Sequence, residues 1–154
     1  MTATAHSIVG ASIAAATIQN PILGLTLATI SHPLLDLVPH WDLGWGWREK
    51  SKVRLFLESA GDVLVGLTLA FVIFGNSSIP VWYFLACIFL SISWDVLEAP
   101  YWFFNWRFFP FGFIYNVQSR MQGKATLPWG LITQVVTVGL AVYLANTWVF
   151  QTTS

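Results

Sequence analysis

Charge is scarce in this chain. Its 154 residues include seven Lys or Arg and seven Asp or Glu, 9% in all, where a soluble domain carries about 25%. So few charges cannot cover a soluble fold whose residues are 56% apolar. Disorder needs the opposite composition. The even balance of signs leaves no basic footprint, so nucleic acid is not an expected partner. The single cysteine, Cys87, excludes an internal disulfide. Glycine-rich phosphate loops, nucleophile elbows and paired-cysteine motifs are missing. The first 31 residues hold no Lys or Arg, so no secretory signal is expected there. What this composition fits is an integral membrane protein.

Apolar runs are what the chain has instead. A hydrocarbon core about 30 Å thick needs about 20 apolar residues per helix, and candidate spans fall at about 3–19, 21–39, 53–74, 80–98 and 127–150. Asn20-Pro21 turns the chain between the first two, Gly75-Asn76-Ser77-Ser78 makes a polar turn, and Pro80 suits the start of the fourth. The expected fold is all-α: one integral membrane domain over 1–154, a polytopic bundle of about five transmembrane helices. An aromatic segment at about 100–116, from Pro100 past Trp106 and Phe113, reads as interfacial. All seven basic residues lie in two alternate connections: Arg48, Lys50, Lys52 and Arg54, then Arg107, Arg120 and Lys124. By the positive-inside rule these face the cytoplasm, with the N-terminus inside and the C-terminus outside, as in a bacterial cytoplasmic membrane.

Ionisable residues within spans are costly and by default mark a functional site. Here they are His6, His32, Asp36, His40, Asp42, Glu58, Asp62, Asp95 and Glu98. Under the expected topology all nine fall in the cytoplasmic half of the membrane. Asp62 lies eight residues past Arg54, a depth of roughly 12 Å. Glu58 and Asp62 are spaced i,i+4, Asp95 and Glu98 i,i+3, and His32, Asp36 and His40 i,i+4,i+8. Pro33 is expected to interrupt the second helix, with Ser31 capping a new short one; a broken helix at membrane depth suits a polar cavity.

Bare carboxylates in a low dielectric must hold protons or share a cation. Imidazole with carboxylate is a ligand set for zinc, and also for manganese or iron. His6, His32, Asp36, His40, Asp62 and Asp95 are therefore the candidate ligands for one or two divalent ions, zinc foremost. Two ions would suit hydrolysis of a phosphoester, with Glu58 or Glu98 as general base. Each residue also has a plainer reading: His6 as a capping residue, Glu58 paired with Arg54, Asp42 as a loop cap. The small residues Ser7, Gly10, Ala11, Ala14 and Ala15 read as close helix packing.

The run Ser31-His32-Pro33-Leu34-Leu35-Asp36-Leu37-Val38-Pro39-His40-Trp41-Asp42, with Ala5-His6-Ser7 upstream, resembles the bacterial membrane-bound metal-dependent hydrolase family. Its His-x-x-x-Asp-x-x-Pro-His order is also similar to zinc-dependent phospholipase C. The resemblance covers about the first 42 residues. It implies His6, His32, Asp36 and His40 as metal ligands and a hydrolytic activity. The expected substrate is a phosphoester, soluble or carried by a membrane lipid, and a homo-oligomer stays open. Two non-enzymatic readings use the same residues. One is an ion or proton carrier, for which Thr133, Gln134, Thr137 and Asn146 in the last span offer a weak polar route. The other is an accessory subunit of a membrane complex.

Overall fold

The structure, a computed structural model, describes residues 1–75 and 78–153, with backbone alone over 148–153. It is all-helical: α1 (Ala3–Ala16), α2 (Pro21–Asp36), α3 (Lys52–Phe74), α4 (Val81–Phe104), α5 (Phe111–Met121) and α6 (Trp129–Thr153), with a short 3-10 turn at Trp47–Glu49 and no strand among the described residues. Local chemistry sets the boundaries. The Thr2 side chain accepts from Ala5 N, Asn20 accepts from Leu23 N ahead of Pro21, and Ser51 accepts from Arg54 N. Asn105, left-handed at φ 58°, ends α4.

α3, α4 and α6 are long and apolar enough to cross a membrane, by length and composition. The five expected spans thus reduce to three on this criterion. α1 has 14 residues and α2 16, short of the roughly 20 that a full crossing needs. Between them Thr17–Asn20 forms a turn, with Asn20 N donating to Thr17 O. α1 instead serves as the hub, packed by α2, α3, α4 and α6 and buried along most of its length. Its small residues permit this. A Cβ on Gly10 would meet Cys87 O at 2.8 Å on α4, and a Cβ on Gly66 of α3 would meet Thr4 Cα at 2.7 Å. The outer faces of α3, α4 and α6 expose Val72, Phe89, Val135, Val136 and Leu140 among many others, an apolar surface too extensive for water.

Three sequence expectations change. α2 stays helical across Pro33 to Asp36, and Ser31 Oγ donates back to Ala28 O at 2.8 Å rather than capping a new helix. Packing of α2 against α4 and α1 holds the helix together through the missing N–H. α4 likewise runs through Pro100 to Phe104, and the separate helix begins only at Phe111. α6 starts at Trp129, after Pro128. In the turn after α3, Asn76 and Ser77 lie outside the described residues, as do the side chains of the last span beyond Thr147.

Close contact at Gly10 makes a clear expectation. Gly10→Val forces α1 away from α4 and destabilises the protein by about 1–3 kcal/mol. Gly139→Ala, where an added Cβ meets nothing within 4 Å, leaves thermal unfolding in detergent unchanged or raises its midpoint.

Candidate metal centre

The centre forms where α1 begins and where α2 and α4 near their ends. Asp36, the last residue of α2, has its side chain 1% exposed. Around its carboxylate lie three imidazoles: His6 Nε2 at 3.2 Å and His40 Nε2 at 3.9 Å from Oδ1, and His32 Nε2 at 3.4 Å from Oδ2. The amino group of Met1 also contacts Oδ1. His32 Nε2 lies 3.4 Å from Asp95 Oδ1 as well, and Gln118 Nε2 on α5 donates to that oxygen at 2.8 Å. The continuous α2 brings His32 and Asp36 onto one face at i,i+4.

His40 is positioned differently, beyond the helix, by main-chain bonds. Its N donates to Gly123 O at 3.2 Å, Ala125 N donates to its O at 2.9 Å, and Gly123 N donates to Asp36 O at 2.7 Å. The strand-like strap 123–125 therefore holds both ends of the Asp36–His40 turn. Gly123 and Gly130 permit the approach, since a Cβ at Gly123 would meet Leu37 O at 2.7 Å. From α6, Gln134 Nε2 donates to Trp41 O at 2.7 Å and Thr133 Oγ1 donates to Pro39 O.

Backbone carbonyls fix the tautomers. Ser91 O, 2.7 Å from His32 Nδ1, and Val38 O, 2.7 Å from His40 Nδ1, can only accept, so each Nδ1 carries the proton. In the neutral ring each Nε2 then presents a lone pair toward Asp36. A ligating histidine characteristically donates its other N–H in this way. Burial holds His40 below the usual imidazole range, so its ring is neutral near pH 7. His6 and His32 stack at 3.8 Å between ring centroids, 11° from parallel, which makes charging both rings unfavourable.

Asp36 Oδ1 is thus served by the Met1 amino group and His6, while other polar atoms of the cluster are left over. His6 Nδ1, His40 Nε2, Asp36 Oδ2 and Gln118 Oε1 are buried with no hydrogen-bond partner. The His32–Asp36 approach lies within ion-pair distance yet makes no hydrogen bond. A divalent cation fits this donor set. One nitrogen each from His6 and His32 and one oxygen of Asp36 lie within 4.8 Å of one another. The two rings approach different oxygens of that carboxylate, His6 at Oδ1 and His32 at Oδ2.

The other candidate residues take different places. Asp62 turns to α1: Oδ2 accepts from Ala3 N at 2.6 Å, and Oδ1 from Thr4 N at 3.1 Å and Thr4 Oγ1 at 2.6 Å. It caps the helix that carries His6. Glu58 bonds Lys50 Nζ at 2.5 Å and Arg54 Nε at 2.7 Å, and so is held at the surface as an ion-pair partner. Glu98 is 4% exposed and accepts from Trp102 Nε1 at 2.8 Å. Asp42 accepts from Gly44 N at 2.5 Å, and burial pushes its carboxyl up to about 7 against the pull of the Met1 amino group.

A cavity of about 330 Å³ adjoins the centre, with Asp42, Asp62, Asp95, Glu98, Gln118, Arg48 and Lys124 in its walls together with Trp45, Trp47 and Trp102. Gln118 and Ser91 are absent from the sequence-derived set. Ser91 Oγ donates to His6 O at 2.8 Å while its carbonyl orients His32. Neither side chain is ionisable. Their signal is a polar residue recurring near Asp95 (Ser91) and within the otherwise apolar α5 face (Gln118).

The division between Asp36 and Asp62 is testable. Asp62→Ala leaves Ala3 N and Thr4 N without their acceptor and destabilises the fold by about 1–3 kcal/mol. Divalent-ion binding per folded molecule is expected to survive that change and to vanish in Asp36→Ala. Equal loss of binding in both variants, read by isothermal titration calorimetry, contradicts the division. No family model matches the chain, and no curated protein or solved structure matches it.

Proposed function

We propose that the protein is a membrane-embedded, metal-dependent hydrolase acting on a phosphoester at the cytoplasmic face of a bacterial cytoplasmic membrane. The observation that carries this reading is the convergence of three imidazoles on the buried Asp36, two of them with Nδ1 committed to a backbone carbonyl. The resemblance of 5–7 and 31–42 to the membrane-bound metal-dependent hydrolase family implies His6, His32, Asp36 and His40 as ligands.

In this reading His6, His32, Asp36 and His40 hold the ion, and Asp95 stands beside His32. A histidine-rich set with one carboxylate favours zinc over manganese or iron. A divalent ion bound there supplies Lewis-acid polarisation of a phosphoryl oxygen and of water. Glu98, buried and lining the cavity, is the carboxylate placed to take a proton from water in that space. It replaces Glu58, whose two oxygens are engaged by Lys50 and Arg54. Arg48 and Lys124 in the cavity wall offer positive charge to the phosphate. All five helices α1, α2, α3, α4 and α6 sit within the bilayer, α1 enclosed by the others and α2 turning an exposed apolar face to lipid. The basic connections face the cytoplasm, where the cavity opens.

Elemental analysis of the purified protein tests the reading. About one equivalent of zinc, manganese or iron is expected, lost in His32→Ala and Asp36→Ala variants that still unfold cooperatively. Folded protein that stays metal-free after incubation with each ion overturns it. With metal bound, hydrolysis of phosphomonoesters or phospholipids is expected to stop on adding chelator and to fall at least 100-fold in Glu98→Gln. Absence of turnover across that panel contradicts the hydrolase and leaves a binding role.

A further inference from the structure

α3 and α4 are both packed on α1 yet barely touch each other. They meet at the end away from the metal centre, where Phe71 and Phe84 contact edge to face at 5.1 Å. At the opposite end Lys52 Nζ donates to Trp102 O and ties the start of α3 to the end of α4. Between these two closures the helices leave a window facing lipid. It holds an open apolar groove of about 450 Å³, lined mainly by Phe56, Ala60, Val63, Leu64, Leu67 and Phe103. Ser59, Val63 and Phe103 line both this groove and the polar cavity beside the metal centre. The two spaces therefore lie side by side across a shared wall, polar on the inner side and apolar toward the bilayer.

We infer that this window admits one hydrocarbon chain of a phosphorylated membrane lipid, with the lipid's phosphate in the cavity. The inference rests on the cavity being the substrate site proposed above, and it narrows the phosphoester to one carried by a lipid. Three features select this occupant. The groove lies on an exposed apolar face of α3, flanked by Leu57 and Leu69. The cavity across the shared wall carries Arg48 and Lys124, which suit a phosphate, and Trp45, Trp47 and Trp102, which suit a headgroup boundary. Ser59 and Ala60 keep the α3 side of the window free of bulk.

Photocrosslinking in nanodiscs tests it. The probe is a phosphatidic acid with a diazirine in mid-chain, doped into phosphatidylcholine, and adducts are mapped by mass spectrometry. Adducts are expected several-fold more often on Ser59, Val63 and Phe103 than on the more exposed Val72, Val135 and Val136. Ala60→Trp fills the groove and is expected to cut the window adducts several-fold while those at Val135 and the unfolding temperature stay unchanged. A diacylglycerol with the same tagged chain is expected to label the window less. Even labelling of all outer faces overturns the inference, as does equal labelling by the diacylglycerol or an unaltered pattern in Ala60→Trp. Crosslinked dimers joined through the window overturn it too, because a second copy then covers the groove. Metal content measured on the same samples separates the two readings: intact metal with no window labelling removes the lipid path alone.

Discussion

A carboxylate deprived of water must find positive charge or hydrogen-bond donors within reach. Asp36 is placed under that constraint by the end of α2 and by the helices packed over it. Around it the chain supplies ring nitrogens whose protons point elsewhere, toward Ser91 O and Val38 O. Gln118 Nε2 lies within hydrogen-bond reach of the His32 nitrogen at 3.3 Å, whereas His40 Nε2 has no donor among the described residues and becomes a favourable neighbour of Asp36 when a proton or a metal ion lies between them. The tautomers, the unpartnered Asp36 Oδ2 and His40 Nε2, and the stacked His6–His32 pair leave a group that could hold a cation, beside the Met1 amino group already at Asp36 Oδ1.

The rest of the fold can be understood as the means of holding these groups still. α1 must pass through the middle of the bundle to deliver His6, and only small residues let α3 and α4 approach it closely enough. Its N-terminal amides are satisfied by Asp62, so one carboxylate of the cavity is occupied in fixing the position of another residue's imidazole. The strap at 123–125 and Gln134 of α6 fasten the turn that carries His40. Carboxylates that look equivalent by composition are thus divided by their partners: Asp36 among imidazoles, Asp62 on backbone amides, Glu58 on two cations, Glu98 on an indole.

Much of this was legible in the sequence. The apolar runs of α3, α4 and α6 exceed the thickness of a bilayer, and the basic clusters mark one end of the bundle. The gathering of His6, His32, Asp36, His40, Asp95 and Glu98 at that end followed from their place in alternating helices. What resisted reading was set by tertiary contact. Pro33 and Pro100 are helix breakers locally, yet packing carries α2 and α4 through both. Asp62 has the spacing of a ligand, and only the proximity of α1 reveals it as a cap. Gln118 and Ser91 act through an amide and a carbonyl, which carry no charge to draw attention in a sequence. The strap that holds His40 joins residues about 85 positions apart, a distance no local pattern reports.

X-ray absorption spectroscopy of the zinc-loaded protein tests the convergence on Asp36 most directly. The expected spectrum has a first shell of nitrogen and oxygen at about 2.0–2.1 Å, with outer-shell scattering from at least two imidazole rings that weakens in His32→Ala. A first shell of oxygen alone, without imidazole scattering, contradicts a centre built on His6, His32 and His40, and so does a sulfur shell from Cys87.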